Sequence, residues 1–532
     1  LHDALPIYDC DDADATINPA ATDTWYDGVD TDCDGESDYD ADSDGYDSES
    51  YSGDDCDDAD STVNPGVTEV YDGEDENCDG LVDYEVPASN ADATYTGPSA
   101  GAYAGGAIAV AGDVDGDGLD DILVGAAQTT NGNAYLVNGS TSGGSLSTVA
   151  SLVMTGENSG DYFGVSVAGA GDVTGDGTPD LLVGAYLYDS NRGNAYLVSG
   201  TTTGSLGAAS ATASFPGLST GDYSGLALAG AGDSDSDGYA ELLIAAPYAG
   251  TGGEVYLLEG PLSGEIDLED ADTTFTAEAS GDVLGGGMYG NMDVNADGYL
   301  DYGFGAYGED SGGSGSGASY VVYGPVSAGE YPLADAEAKI YGDAGDEAAI
   351  FPGTAIDLDA DGYGDILIRA PYSDNVADDA GEVYVYLGSS IDAAVTAGSG
   401  SFTDSTATAD ITLQGALEDD RFGVSVGGVD DIDGDGGGEV IVGARYESTG
   451  GSEAGAGYLW YSATIGGGGT FDAATDADLM VTGTATSDWL GTRAAGAGDT
   501  DGDGLGDFML GASHESTAAS YAGAVYFFYG YY

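Results

Sequence analysis

The residues best suited to chemistry lie at 113–121, Asp-Val-Asp-Gly-Asp-Gly-Leu-Asp-Asp. Carboxylates stand at loop positions 1, 3, 5 and 9, and Gly118 stands at position 6. Alternate side chains of a tight loop point inward, the glycine permits the sharp turn and position 7 can offer its carbonyl, so the spacing suits a hard cation such as Ca²⁺. An EF-hand begins in the same way, but here no glutamate stands at position 12 and no helical pattern flanks the loop. The flanking runs, 107–112 and 122–126, are strand-like, which predicts a calcium loop within a β-hairpin.

The same spacing recurs along the chain, with starts 59 to 74 residues apart. The predicted ligands are Asp113, Asp115, Asp117 and Asp121; Asp172, Thr174, Asp176 and Asp180; Asp233, Asp235, Asp237 and Glu241; Asp293, Asn295, Asp297 and Asp301; Asp357, Asp359, Asp361 and Asp365; Asp431, Asp433, Asp435 and Glu439; Asp499, Asp501, Asp503 and Asp507. One copy could be a plain Asp-Gly turn, but copies in register indicate a repeat architecture with about seven Ca²⁺ ions. The first, fifth and seventh loops hold four aspartates and are expected to bind best. The second and fourth loops each have one charge fewer, and Gly437-Gly438 loosens the sixth.

The composition is strongly acidic, with 97 Asp and Glu, six Lys and Arg and a formal net charge of −91. No basic patch exists to neutralise phosphates, so nucleic acid is excluded as a partner, and an anionic membrane surface would repel the chain. Seven Ca²⁺ ions would neutralise only part of this charge. We therefore attribute the acidity both to cation binding and to a salt-adapted surface. No run approaches the roughly 20 apolar residues of a membrane helix, which predicts no transmembrane segment.

Residues 92–532 divide into units of roughly 60 residues with four strand-like runs each, identified by alternation and turn signals. A four-stranded unit cannot bury both of its faces alone, so the units are expected to pack face to face in a ring. A strand-like run stands before the first unit, and the chain stops one strand short after the last. The prediction is an all-β, seven-bladed propeller of four-stranded blades, with calcium loops between the first and second strand of each blade. Residues 92–97 are expected to close it by pairing with 524–529.

Short sequence motifs recur around the loops and suggest a resemblance to a known family. Phe163-Gly164 is followed by Gly171-Asp172, by Gly175-Asp176-Gly177 and by Leu182-Val183-Gly184-Ala185, and residues 421–426 repeat the beginning as Arg-Phe-Gly-Val-Ser-Val. Residues 92–532 therefore resemble the FG-GAP repeats of integrin α-subunit propellers. Two departures stand out: other words replace Phe-Gly in several units, and all seven units carry a cation loop, whereas only some do in integrins.

Residues 9–83 form a separate Asp-rich segment of two copies, predicted to be a stalk. Residues 1–8 are interpreted as an unassigned, non-native leader, and 84–91 are interpreted as a linker. Each copy has two cysteines, and internal symmetry favours Cys10–Cys33 and Cys56–Cys78 among three possible connectivities. Cross-linking of so small a unit indicates an oxidising compartment. The cation spacing recurs in both copies, at Asp30, Asp32, Asp34 and Asp38 and at Asp75, Asn77, Asp79 and Asp83, with a further candidate loop around Asp40, Asp42 and Asp44.

The words Asp-Cys-Asp-Asp, Asn-Pro and Cys-Asp-Gly in this segment resemble MopE-type metal-binding repeats of secreted bacterial proteins. Tyr26 and Tyr71 stand where that family usually has a cysteine, so its disulfide pattern carries over only in part. The family's link to copper has no support from His, Met or reduced Cys here, and oxygen ligands favour two or three further Ca²⁺ ions.

The face opposite the calcium loops carries the connections that follow the Gly-Ala and Ala-Pro words. The tyrosines predicted there are Tyr186, Tyr188, Tyr248, Tyr307, Tyr372 and Tyr446, beside Arg192, Arg445 and His514. Integrin-like propellers use this face for partners, and aromatic side chains could stack on sugars or anchor a protein. Packing at the rim is the alternative for any single tyrosine.

No zinc cluster, Gly-rich phosphate loop or Ser-His-Asp order is present, and no carboxylate outside the cation loops stands out as a general acid. The favoured interpretation is a non-enzymatic extracellular calcium-binding propeller, either secreted or on the cell surface. It would serve adhesion or scaffolding and bind an unidentified protein or glycan. The alternatives are a propeller enzyme acting on extracellular polysaccharide and an acidic halophile surface without a partner.

Overall fold

The computed structural model describes residues 14, 16–22, 24–33, 37–65, 67, 78, 85–345, 349–350, 356–398 and 400–530, the side chains of 349–350 excepted. The chain divides into two compact units, Leu1–Val86 and Pro87–Tyr532. The larger unit is a seven-bladed β-propeller, which confirms the predicted fold class. The first four strands of each blade run antiparallel from the centre of the ring outward, and the following list gives their bounds.

Blade 1 contains Ala107–Gly112, Asp121–Ala126, Asn133–Val137 and Leu152–Thr155; blade 2 contains Val167–Gly171, Asp180–Gly184, Asn194–Val198 and Ala213–Pro216; blade 3 contains Leu228–Gly232, Glu241–Ala246, Glu254–Leu258 and Thr273–Thr276; blade 4 contains Leu284–Met292, Asp301–Ala306, Ala318–Val322 and Ala338–Tyr341; blade 5 contains Ala349–Ile350, Ile366–Ala370, Glu382–Tyr386 and Ile411–Gln414; blade 6 contains Phe422–Val429, Glu439–Ala444, Ala456–Trp460 and Leu479–Thr482; blade 7 contains Leu490–Gly498, Asp507–Ala512, Ala524–Phe528 and Ala93–Thr96.

Each sheet has five strands and not the predicted four. The additional strand is short, comes from the connection of the next blade and runs parallel to the fourth strand, as Gly204–Gly207 does beside Leu152–Thr155. The other strands of this kind are Gly264–Glu265, Gly329–Pro332, Phe402–Ser405, Gly469–Asp472 and Gly144–Ser145, and a further short strand is Glu85–Pro87. Each of blades 1 to 6 therefore contributes a strand to the blade before it, which covers that blade's outer edge.

Short helices occupy the connections. The α-helices are Leu146–Val149, Tyr188–Asn191, Gly388–Ala397 and Ser462–Ile465, and the 3-10 helices are Glu49–Tyr51, Ala88–Asn90, Ala208–Ser210, Leu268–Asp270, Leu333–Asp335 and Thr406–Thr408.

The ring closes through the strand Ala93–Thr96, which pairs antiparallel with Ala524–Phe528 in the register Tyr95 to Val525. Tyr95 is 4% exposed and packs in one buried cluster with Ile122 and Phe527, which belong to blades 1 and 7. Its hydroxyl donates to the Thr141 carbonyl at 2.6 Å. Similar clusters fill the spaces between neighbouring blades, so the hydrophobic core is distributed around the ring.

Two recurring sequence motifs meet across neighbouring blades: Gly-Ala at the end of a second strand and x-Gly (any residue followed by glycine) at the start of a first strand. A Cβ built on Gly184, in the Gly-Ala word of blade 2, would lie 2.0 Å from the carbonyl oxygen of Gly225 in blade 3. The amide of Gly225 donates to the Ala245 carbonyl at 3.0 Å, and Gly225 itself has a φ of +79°. Close backbone contact thus requires glycine in both motifs. This explains why the motifs recur, without invoking a ligand.

In the smaller unit, Cys56 and Cys78 form a disulfide, as predicted from the internal symmetry. Cys10 lies outside the described residues, so the Cys10–Cys33 pairing stays a prediction. The Tyr26 and Tyr51 rings stack at 4.9 Å between centroids.

Candidate metal centres and the opposite face

The first aspartate of each loop organises its backbone. Asp113 Oδ1 accepts the N–H groups of Gly116 at 2.7 Å and of Asp117 at 3.0 Å, and Oδ2 accepts that of Gly118 at 2.9 Å. Gly118 has a φ of +93°, which a side chain would resist. The bond from the position-6 glycine to the position-1 aspartate recurs in all seven loops. These loops are therefore one structural element used seven times.

The acid at position 9 lies at the base of each loop, where the second strand begins, and it is at most 1% exposed in every blade. Asp121 accepts the Val114 N–H at 3.1 Å and the Gly139 N–H at 2.9 Å, so it ties the loop to the end of the third strand. Burial is the main cause of raised pKa values at this position: about 6 for Asp121 and Asp507, about 7 for Glu241, Asp301 and Asp365, and about 8 for Glu439. A bound cation would instead hold these carboxylates ionised.

The loops of blades 3 and 6 bring all four predicted ligands together. In each loop, ligand atoms of the four acidic side chains lie within 4.8 Å of one another; the two sets are Asp233, Asp235, Asp237 and Glu241, and Asp431, Asp433, Asp435 and Glu439. Glu241 Oε1 and Glu439 Oε1 are buried and have no hydrogen-bond partner. Buried oxygens without a donor, within a group of carboxylates, fit a hard cation that would supply their missing partner. Such an ion would offset the repulsion within each loop.

A polar residue one or two positions after the third strand also contributes, which the sequence pattern did not indicate. The Asn138 side-chain amide donates to Asp115, the Ser199 hydroxyl to Asp176 at 2.7 Å, and the Ser462 hydroxyl to Asp435 at 2.8 Å. These polar side chains position the loop carboxylates. Only some units have such a polar residue just after the third strand, so the sequence signal was too weak to find.

The predicted N-terminal loops are described only in part. Asp34 and the whole set Asp75, Asn77, Asp79 and Asp83 lie outside the described residues. Asp38 is buried and accepts the Gly28 N–H. The structure instead gathers Asp42 and Asp44 with Asp55, whose ligand oxygens lie within 4.8 Å of one another. Asp55 is 1% exposed and its Oδ2 has no hydrogen-bond partner, so this group also fits a cation.

The opposite face of the propeller carries a band of aromatic rings, which we call the aromatic band. First strands begin and second strands end at this edge, because the cation loops join their other ends. The side chains at these two positions are Tyr162, Tyr186, Tyr223, Tyr248 and Tyr307 around blades 2 to 4, and Tyr372, Arg421, Arg445, Tyr446, Trp489, His514 and Tyr103 around blades 5 to 7 and 1. Tyr521, just before the third strand of blade 7, joins them. Successive rings lie 3.6 to 5.8 Å apart between centroids wherever two rings adjoin, as from Tyr186 to Tyr223 and from Trp489 to His514.

Five of the six predicted tyrosines lie in the aromatic band. Tyr188 does not, because it begins the short helix Tyr188–Asn191 and packs against the core of blades 1 and 2. Most band members that the prediction omitted precede the first strands, at the position before an x-Gly motif (any residue followed by glycine); Tyr103, Tyr162 and Trp489 are examples. These three have φ values of +54° to +58°, a conformation that bulky residues rarely adopt. Because a bulky residue recurs before x-Gly in several units, the sequence could have predicted these members of the aromatic band.

Matches to known families agree with this geometry. FG-GAP repeat models match residues 224–258 and 352–386, and an FG-GAP-like repeat model matches 113–183. The chain carries FG-GAP repeats on a seven-bladed propeller. The Cu-binding_MopE model of a metal-binding motif matches residues 9–39 and 55–84.

Integrin α subunits are similar to the propeller. Integrin alpha-V of Gallus gallus is 32% identical over 219 residues, which are 39% of this chain and 20% of the relative. Integrin alpha-IIb of Homo sapiens is 36% identical over 166 residues, which are 29% of this chain and 16% of the relative. The chain thus spans at most about a fifth of the length of these relatives. The crystal structure of BBS1N in complex with ARL6DN superposes with a TM-score of 0.41 at 9% identity, covering 82% of this chain and 93% of that one. Within the described residues, no helix has the length and hydropathy needed to span a membrane.

Proposed function

We propose that this chain is a non-enzymatic, calcium-stabilised ligand-binding module of the extracellular space, used for adhesion or as a scaffold. The aromatic band carries the proposal. It places accessible rings side by side on one face, and Trp489, Tyr446 and Tyr372 are each only partly buried. Rigid amphipathic rings of this kind give large contact area at low entropic cost, and they commonly anchor interfaces.

The cation loops support the same proposal from the other face. Oxygen-only donor sets at this spacing suit Ca²⁺, and extracellular modules bind it at roughly 0.1–1 mM. Filled loops would hold the blades rigid and so preorganise the aromatic band. The likeness to integrin α subunits and the Cys56–Cys78 disulfide favour an extracellular setting.

A binding panel tests the proposal. The full chain, loaded with Ca²⁺, is applied to immobilised glycans and extracellular-matrix proteins. Trp489→Ala is expected to abolish whatever binding the wild type shows. Tyr299→Ala is the matched control, because Tyr299 is 46% exposed and lies in a cation loop on the other face. If both variants bind as the wild type does, the aromatic band is not the binding face.

The same panel tests the absence of catalysis. Glycans that bind are incubated with the protein, and released reducing ends are measured over time. Binding without turnover is expected. Turnover that Trp489→Ala reduces would instead favour a polysaccharide-cleaving enzyme.

A further inference from the structure

Positive charge is concentrated in one sector of the aromatic band. The chain has only six Lys and Arg residues, and four of them lie at blades 5 to 7 near this face: Arg369, Arg421, Arg445 and Arg493. One of the two histidines, His514, lies in the same sector. In a chain of net charge −91, a scatter of basic residues would place them beside acids all around the ring. Their concentration in one sector therefore requires an explanation.

Arg421 and Arg445 alternate with rings. The Arg421 guanidinium lies 4.9 Å from the Tyr372 ring centroid and 5.2 Å from that of Tyr446. The Arg445 guanidinium lies 4.8 Å from the Tyr446 centroid and 5.8 Å from that of Trp489. Cation–π contacts hold both guanidinium groups in place. The result is a row of ring, cation, ring, cation, ring that extends over blades 5 to 7.

Arg445 has no acidic partner despite the abundance of acids. In the described part of the chain, no carboxylate lies within 4.0 Å of its guanidinium, and its buried Nε has no hydrogen-bond partner. Arg421 has only a long contact with Asp379, at 3.5 Å. A half-buried guanidinium that lacks a carboxylate retains donors for an external anion.

A second guanidinium, that of Arg493, experiences the positive charge of Arg445. Burial, and then the nearby charge of Arg445, lower the pKa of Arg493 to about 10. The same charge, after burial, lowers the pKa of His514, so the imidazole is neutral at pH 7. Arg493 also lines the central cavity of about 690 Å³ between the first strands. Two close guanidinium groups repel each other, and an anion between them would remove that repulsion.

We infer that Arg445, Arg421 and Arg493, with Tyr446 and Trp489, form a binding site for a carboxylate-bearing polysaccharide. The guanidinium groups pair with the carboxylates, and the rings stack on the apolar faces of the sugar units. A row of ring faces that extends over blades 5 to 7 suits successive sugars better than an acidic peptide, which would need a strand edge or an apolar pocket. This inference rests on the proposed function, since it names the ligand class of the same face.

Calorimetric titration of the Ca²⁺-loaded full chain with hyaluronan oligosaccharides tests the inference, because these carry carboxylates and no sulfates. A neutral oligosaccharide of equal length and poly-glutamate serve as comparison ligands. We expect the wild type to bind hyaluronan, and Arg445→Gln to weaken binding at least about tenfold. Arg421→Gln is expected to act in the same direction, and Arg445→Lys is expected to restore part of the loss.

Arg192→Gln is the matched control. Arg192 follows the helix of blade 2 on the same face, so this variant removes an equal charge outside the cationic sector, and its effect should stay within about twofold. Unchanged melting temperatures show that the variants are folded. Four outcomes would each overturn the inference. In the first two, the wild type does not bind hyaluronan, or it binds the neutral sugar equally well. In the other two, Arg192→Gln weakens binding as much as Arg445→Gln does, or poly-glutamate binds in a way that depends on Arg445. The proposed function fails separately, only if no member of the wider panel binds through Trp489.

Discussion

At the scale of single residues, the position-1 aspartate of each loop has two roles. Asp113 accepts three backbone N–H groups and is also a predicted cation ligand. Asp113→Ala should therefore remove one bound Ca²⁺ per chain and lower the melting temperature in calcium. In metal-free buffer the loss should be smaller, because only the hydrogen bonds are then missing. Native mass spectrometry and thermal melts measure both effects. Asp270→Ala, at an exposed site outside the loops, should retain every ion, and equal stoichiometry in both variants would contradict this role.

The position-9 acids make metal-free stability depend on pH. Burial raises the pKa of Glu439 to about 8 in the folded chain, so the folded state binds a proton that the unfolded state has already lost. The free energy of unfolding of the metal-free protein should therefore fall as pH rises from about 5 to about 8. Calcium competes with these protons, so its affinity should rise over the same window.

Denaturant titrations of the metal-free protein at several pH values measure this slope. Glu439→Gln should reduce the slope by up to about 1.4 kcal/mol per pH unit, because it removes one titrating group. A slope unchanged in this variant would show that Glu439 is ionised when the loop lacks metal.

At the scale of strands and blades, the sequence predicted most of the architecture. It did not predict the elements that have no recurring sequence pattern. The strands from Ala107–Gly112 onward alternate or form apolar runs, and their register with seven loops predicted the ring. The fifth strands could not be predicted, since Gly204–Gly207 and Gly264–Glu265 are short, rich in small or polar residues and defined only by their neighbour. Tyr162 and Trp489 differ from these strands, because a bulky residue before x-Gly recurs in several units and could have been found in the sequence.

The contact between the Gly-Ala and x-Gly motifs gives a prediction for one pair of neighbouring blades. Gly184→Ala would place a methyl group 2.0 Å from the Gly225 carbonyl oxygen, so the two blades must separate. We expect a loss of roughly 1–3 kcal/mol in the free energy of unfolding. Gly207→Ala is the control, because nothing lies within 4 Å of its added Cβ and its φ is not positive. Denaturant unfolding measures both variants, and equal stabilities would show that backbone contact does not explain the recurring words.

At the scale of the whole molecule, stability combines self-repulsion of a chain with net charge −91 and the binding of several cations. These two effects respond differently to salt. Monovalent salt screens repulsion among all carboxylates, whereas Ca²⁺ binds the loops and so stabilises only the folded state. With a Kd of about 0.3 mM, about 5 mM Ca²⁺ would contribute about 1.7 kcal/mol per site, or about 12 kcal/mol for seven independent sites. A contribution of that size would exceed the net stability of many domains.

Thermal melts at one fixed ionic strength, with Ca²⁺, with Mg²⁺ and with chelator, separate the two effects. We expect a large rise in melting temperature with Ca²⁺ and a much smaller one with Mg²⁺, because Mg²⁺ demands octahedral geometry and gives up water reluctantly. A rise that follows ionic strength alone would mean that the Asp-Gly loops are simple turns and that the acidity is an adaptation to salt. A calcium-specific rise would also predict that ligand binding by the aromatic band weakens in chelator, since rigid blades hold its rings in line.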